Sequence, residues 1–126
     1  MNIGLDEVLR AAADHTRLRI LNLLRQGGVC VCDLQQVLSL PQPTVSRHLA
    51  VLRHAGLVSD TRSGNRVMYA LAPGGSTRLQ AFFEFLEKTV GQEEGMKEDS
   101  RRLESLLRGG ECAGGGIRDT LERIAS

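Results

Sequence analysis

Two cysteines separated by one residue, Cys30 and Cys32, are the side chains of this sequence with the most distinctive chemistry. A thiolate is a nucleophile and a ligand for soft metals. Asp33 follows directly and is predicted to cap a helix over residues 33–39, whose positive end would lower the thiol pKa. Spacing alone leaves two interpretations: a thiolate site for a soft metal or metalloid, or two small buried side chains in a strand-like Val-Cys-Val-Cys run.

Two short helices are predicted immediately after the cysteines. The first is indicated by apolar residues at i, i+3 and i+4, and a break at Pro41 separates it from the second, which has Pro43 in its first turn and ends at Gly56. In the second helix Val45, Leu49 and Leu52 should face the core. Its other faces carry side chains of the types that contact base edges and phosphates in a major groove. The predicted DNA-binding residues of this helix are Gln42, Thr44, Ser46, Arg47 and His48.

A β-hairpin is predicted over residues 57–71, with its turn at Ser63-Gly64-Asn65. Arg62 and Arg66 flank the turn, where they suit a neighbouring minor groove or phosphate backbone. The order helix, helix, hairpin is typical of a winged helix-turn-helix domain. The predicted fold is therefore mainly α with a small β-hairpin, and Arg62 and Arg66 join the predicted DNA-binding residues.

Apolar stripes at both ends of the chain predict further helices. Leu5, Val8, Leu9 and Ala12 mark the first; a second is capped by Asp14, with its arginines on a solvated face. Beyond residue 76, apolar residues at helical spacing run to Leu107. We expect the N-terminal and C-terminal helices to form a dimer surface, because stripes this apolar need a partner. Residues 1–108 are the predicted DNA-binding and dimerisation domain, and residues 109–126 a flexible Gly-rich tail with Cys112 and a short terminal helix.

Composition fits a small intracellular regulator. The chain has 126 residues, a net charge of +1 and four aromatic residues. Its basic excess lies in residues 1–72, with eight arginines against five acids, although an excess of this size does not by itself identify a nucleic-acid binder. No segment approaches the length of a membrane span, and a secretory signal pattern is missing from the N-terminus. We therefore expect a cytoplasmic protein with no membrane partner and with reduced cysteines.

Residues from about 5 to 71 resemble the arsenic-responsive repressors of the ArsR/SmtB family. The resemblance is carried by the segment 13–21, by the Cys-Val-Cys-Asp-Leu motif at 30–34, by Gln-Pro-Thr-Val-Ser-Arg-His-Leu at 42–49, and by the hairpin at 64–69. It implies a homodimer that represses an operator and is released when trivalent arsenic or antimony (as antimonite) binds cysteine thiolates. A two-fold dimer would require a palindromic double-stranded operator.

The sequence departs from this family pattern at one position. Arsenite sensors of this type often carry a third cysteine where this chain has Gln35. Trivalent arsenic prefers three sulfurs, so either Cys112 completes the site with Cys30 and Cys32, or the inducer is a methylated or aryl arsenical that needs only two. Zinc-sensing relatives use the last long helix, but residues 77–108 contain no histidine, which argues against that site.

Three other functions fit parts of the sequence. An enzyme using Cys30 and Cys32 as a redox pair is disfavoured, because no catalytic histidine or aspartate accompanies them and no Gly-rich phosphate loop precedes a helix. A repressor switched by thiol oxidation keeps the DNA binding and changes the signal. A cadmium or lead sensor would use the same thiol ligands.

Overall fold

Helices alternate with three short strands along the part of the chain that the computed structural model describes, residues 4–73 and 77–109. In chain order, the elements are α1 (Leu5–Ala12), α2 (His15–Leu24), β1 (Val29–Cys30), α3 (Val31–Leu38), α4 (Gln42–His54), β2 (Val58–Ser63), β3 (Arg66–Leu71), α5 (Thr77–Lys88), a 3-10 turn (Val90–Gln92) and α6 (Glu94–Gly109). The tail with Cys112, residues 110–126, lies outside the described residues, so its predicted terminal helix and its boundary stay predictions.

Helices α3 and α4 form the predicted helix-turn-helix. The turn is made by Ser39, which takes the left-handed conformation at a φ of 57°, and by Pro41, which precedes the first residue of α4. The inward positions of α4 are confirmed, because Val45, Leu49 and Leu52 are fully buried. Their burial fixes which face of α4 remains outside.

The predicted start of the first of these helices was wrong by two residues. Helix α3 begins at Val31 with Cys30 as its N-terminal cap, so Asp33 lies inside the first turn and is not the cap. The cause is β1, which pairs with the hairpin and delivers an extended chain to Cys30. The carboxylate of Asp33 accepts a hydrogen bond from the Cys30 thiol instead.

The predicted hairpin is confirmed and belongs to a three-stranded antiparallel sheet in the order β1-β3-β2. Strands β2 and β3 pair from Val58 with Leu71 to Ser63 with Arg66, and Gly64 at the tip has a φ of 62°, which glycine adopts without strain. Strand β1 adds two residues on the other side of β3, with Cys30 opposite Met68. The first cysteine is therefore part of the same sheet as the hairpin.

The core lies between α2, α3, α4 and the C-terminal helices. Asp14 caps α2 as predicted, accepting a hydrogen bond from the backbone of Arg17 at 3.0 Å. This bond is the main cause of a lowered Asp14 pKa. Of the predicted apolar stripe in α1, Val8 and Ala12 are buried, whereas Leu5 and Leu9 are about half exposed. With Phe85 of α5, these leucines are exposed apolar side chains on the helices predicted to dimerise.

The prediction that the α2 arginines form a solvated face was wrong. Each is half-buried and bonded: Arg17 donates to the Ala11 carbonyl, Arg19 to Asp99, and Arg25 to the side chain of Asn22. Helix α6 packs along α2 and encloses part of this face. The ion pair with Asp99 raises the pKa of Arg19 and joins two helices eighty positions apart.

Replacing Arg19 with alanine is expected to destabilise the fold by about 2–3 kcal/mol, because it leaves the buried Asp99 carboxylate without its partner. Urea unfolding measures the change. The matched control is Arg10→Ala, which breaks an ion pair with Asp6 whose side chains are 73% and 76% exposed, and should cost less than about 0.5 kcal/mol. An equal loss in both variants would contradict the structural role of the α2–α6 pair.

None of the helices within residues 4–73 and 77–109 combines the length and the apolar composition needed to cross a membrane.

Candidate metal centre and nucleic-acid interface

Cys30, Cys32 and Asp33 form a cluster in which one potential ligand atom from each lies within 4.8 Å of the others. The two sulfurs are 2.6 Å apart, and the Cys30 sulfur lies 3.3 Å from Asp33 Oδ2. Cys30 ends β1 while the other two residues lie in the first turn of α3, so the bend between strand and helix brings alternate side chains to one side. Spacing alone left open whether the two cysteines form a site, and the structure places their sulfurs together with the Asp33 carboxylate.

Burial dominates the electrostatics of this cluster. Cys30 is 1% exposed, and desolvation raises the pKa of its thiol to about 11. The expected lowering by the helix end was wrong for Cys30, because the loss of hydration outweighs the hydrogen bonds from the backbone of Asp33 and Cys32. Burial also raises the pKa of Asp33, which is 0% exposed. At neutral pH the Cys30 thiol therefore keeps its proton until a ligand displaces it.

The alkylation rate of Cys30 tests this raised pKa. In a Cys32→Ser, Cys112→Ser variant, the rate with iodoacetamide should increase about tenfold per pH unit from pH 7 and level off only near 11, because the thiolate is the reacting form. The same variant unfolded in urea is the control and should level off near the usual thiol pKa of about 8.5. A plateau between pH 8 and 9 in the folded protein would contradict a desolvated thiol.

A cavity of about 280 Å³ opens beside the two sulfurs. Its wall joins the cluster to both parts of the predicted DNA-binding surface, because Gln42 begins α4 while Asn65 and Arg66 belong to the hairpin. Cys32, which is half-buried, also borders a second cavity towards the turn between α3 and α4. Both cavities thus border the cluster on the side of Cys32.

The predicted DNA-binding residues of α4 share its first two turns. Gln42 and Arg47 are exposed, whereas Thr44 and Ser46 are half-buried, and the Gln42 amide donates to the Ser46 hydroxyl at 2.7 Å. The Arg47 guanidinium is thus available for a guanine edge or a phosphate. These positions agree with a helix presented to a major groove, and their contact with DNA stays a prediction.

The remaining predicted DNA-binding residues have different surroundings. In the hairpin, Arg62 is exposed, while Arg66 is half-buried at the cavity wall. The His48 imidazole lies 3.4 Å from the guanidinium of Arg17 in α2, and this contact restricts its orientation. Arg53 at the end of α4 pairs with Asp60 of β2 at 3.4 Å and joins helix to hairpin.

Sequence inspection missed two contributors to these sites. Asp33 was interpreted only as a cap, whereas the structure places its carboxylate against the Cys30 sulfur. Arg17 gave no local sign of its contact with His48, because the two residues lie thirty-one positions apart. The glutamates Glu84, Glu87, Glu93 and Glu94 are exposed, as expected of solvated charge.

Two short helices joined by a tight turn, followed by a hairpin whose sheet packs beside them, define a winged helix-turn-helix domain. Residues 14–60 match the family described as "Bacterial regulatory protein, arsR family". The chain also covers 88% of reduced HlyU from Vibrio cholerae at 36% identity, with a TM-score of 0.61 over 69% of this chain. The chain belongs to the ArsR family.

Among curated relatives, the chain is 49% identical over 67 residues to the arsenic resistance transcriptional regulator ArsR1 of Pseudomonas putida, covering 52% of each protein. It is 47% identical over 68 residues to the arsenical resistance operon repressor of Escherichia coli, covering 53% of this chain and 58% of that protein. The match thus spans about half the length of these relatives. A homodimeric winged helix-turn-helix domain from Mycobacterium bovis is similar at 28% identity and a TM-score of 0.60, over 71% of this chain and 81% of that one.

Proposed function

We propose that this protein is an arsenic-responsive transcriptional repressor of the cytoplasm. It binds a palindromic operator as a homodimer and leaves it when trivalent arsenic, or antimony, binds the thiolates of Cys30, Cys32 and Cys112. The observation that carries the proposal is the placement of the Cys30 and Cys32 sulfurs side by side at the junction between the hairpin sheet and the helix-turn-helix. The names of the arsenic-resistance relatives support the same inducer.

The site can act on DNA binding because Cys30 and Cys32 belong to different elements. A ligand that bonds both sulfurs fixes the distance between them, so its binding is expected to shift the first turn of α3 relative to β1. Since β1 is paired with β3, such a shift would act on the hairpin as well as on the helix.

The displacement has a short route to the DNA-binding residues. Helix α3 packs directly against α4, and the cavity beside the thiols is lined by Gln42 and Arg66. An inducer held at Cys32 thus touches the walls formed by both DNA-facing elements. In a two-state description, the dimer without inducer binds the operator. In the dimer with bound inducer, the α4 helices and the hairpins no longer have the positions that DNA binding requires.

Fluorescence anisotropy of labelled promoter DNA tests the proposal. Reduced wild-type protein and the Cys112→Ser variant are titrated with arsenite while bound to the DNA. Release from the wild type is the expected result; release from Cys112→Ser as well would show that Cys30 and Cys32 suffice and make organic arsenicals the next inducers to test. Failure of arsenite to release the wild type would overturn the proposal, and release by peroxide alone would favour a thiol-redox switch.

A further inference from the structure

Arg17 of α2 and His48 of α4 contact each other where the two helices pack together. One guanidinium nitrogen of Arg17 lies 3.4 Å from Nδ1 of His48, and both side chains are half-buried. An arginine side chain has only hydrogen-bond donors and stays protonated in proteins, so Nδ1 must be the acceptor of this contact. The proton of the neutral imidazole therefore lies on Nε2, and Arg17 selects this tautomer.

The position of Arg17 is fixed by contacts that do not involve His48. Its Nε donates to the carbonyl of Ala11 at 2.6 Å, and its backbone N–H donates to the Asp14 carboxylate at 3.0 Å. Ala11 lies in the last turn of α1, where the carbonyls have no partner within their own helix. The guanidinium is thus held by α1 and by the start of α2, so it meets the imidazole from one direction before any DNA is bound.

The second ring nitrogen of His48 is directed away from this contact, because the two nitrogens of an imidazole point in diverging directions. Within residues 4–73 and 77–109, Nε2 has no hydrogen-bond partner. His48 shares the first two turns of α4 with the other predicted DNA-binding residues of that helix. An N–H at this place can donate to a phosphate oxygen or to the acceptors of a purine edge, and it cannot accept from the amino group of a base.

We propose that Arg17 is a positioning residue for operator binding: it holds the His48 imidazole in the Nε2–H tautomer and in one orientation, so that α4 presents one N–H donor to an acceptor on the DNA. The inference rests on the proposed function, because it assigns a role within the same protein–DNA contact. A donor that is already oriented in the free protein loses less conformational freedom on binding, which favours the complex. Arg17 acts through His48 and not through its own charge.

Nitrogen-15 NMR of the imidazole rings tests the tautomer. At about pH 8, where an ordinary histidine is neutral, His48 of the wild type should show only the Nε2–H form. A His48→Gln variant identifies its signals among those of the three histidines. In Arg17→Ala we expect a mixture of both tautomers, because the donor that selects one of them is gone. A wild-type signal from the Nδ1–H form, or an unchanged signal in Arg17→Ala, would overturn the inference.

Operator affinities of Arg17→Ala, His48→Ala and the double variant test the coupling, with labelled promoter DNA and anisotropy. Each single change should weaken binding about tenfold, as expected when each subunit of a dimer loses one hydrogen bond. The double variant should be no more than about twofold weaker than His48→Ala, because the two residues act as one unit. Arg17→Lys keeps the charge but not the forked geometry, and should bind as weakly as Arg17→Ala.

Arg25→Ala is the matched control. It removes another half-buried arginine from the end of α2, where the side chain bonds Asn22, and its operator affinity should stay within about twofold of the wild type. Urea unfolding shows whether each variant folds, and the wild-type tautomer tests the contact even where Arg17→Ala does not fold. Losses that add in the double variant would overturn the inference, as would full operator affinity in His48→Ala.

The two proposals fail differently. If arsenite releases the wild type from the promoter while the losses are additive, only the role of Arg17 is removed. If the tautomer and the coupling are as expected but arsenite releases nothing, the arsenic function fails and the positioning of His48 stands.

Discussion

Replacing Cys32 with serine is expected to leave operator binding intact and to raise strongly the arsenite concentration needed for release. Serine keeps the size and shape of the side chain, while its hydroxyl stays protonated and is a poor ligand for a soft element. Mutating a residue that only hydrogen-bonds to a metal ligand typically costs roughly 10- to 100-fold in metal affinity. Because Cys32 is proposed to bind arsenic directly, the arsenite concentration for half-release should increase by more than this. The measurement is promoter anisotropy with both proteins reduced.

Cys30→Ser is expected to have the same effect on release, but the variant protein should be less stable to unfolding than Cys32→Ser. Cys30 is buried in β1, and the serine hydroxyl can replace the thiol as a donor to Asp33. Cys32 is half-buried at the cavity, so its replacement is the cleaner test. If either variant lost operator affinity without any arsenite, the thiols would be structural and the switch would have to lie elsewhere.

Arg47→Ala should weaken operator binding to the same degree with and without inducer. The guanidinium is exposed on the first half of α4, where a contact to a guanine edge contributes about 1–3 kcal/mol. A dimer uses this residue twice, so we expect at least a tenfold loss of affinity. If Arg47 instead binds a phosphate, the loss should be similar for all sequences and the salt dependence should fall by about one ion per subunit.

Arg101→Ala is the matched control for this loss. It removes the same charge from the exposed face of α6, where Arg101 pairs with Glu98. Its affinity for operator should stay within about twofold of wild type, because a screened charge away from the interface contributes little. Unchanged affinity in Arg47→Ala would remove that residue from the DNA-binding surface.

The local sequence pattern was sufficient to predict the features that depend only on residues close together in the chain. The apolar spacing of α4 placed Val45, Leu49 and Leu52 inward because the helical period decides this alone. The hairpin turn at Gly64 and the cap at Asp14 could also be predicted from the neighbouring residues alone. The spacing of the two cysteines left open whether they bind a ligand, and only the resemblance to the ArsR family indicated a metalloid site.

The features that were missed depend on partners far away in the sequence. Strand β1 has two residues, which are too few to show an alternating pattern, so its pairing with β3 could not be predicted. The start of α3 was missed for the same reason, because it follows directly from the end of β1. The burial of Arg19 depends on Asp99, eighty positions away. The raised Cys30 pKa follows from packing against Met68, Leu106 and Leu107, which local charge arguments do not include.

The central claim is that inducer and operator oppose each other, and reciprocal binding tests it most directly. Arsenite affinity is measured for the reduced wild-type protein by competition with a thiol-reactive dye, first for the dimer alone and then with saturating operator. Linkage requires that operator lower the arsenite affinity by the factor by which arsenite lowers operator affinity, typically about 5- to 150-fold. The account predicts two equal factors in this range. An arsenite affinity that is unchanged by operator would contradict it.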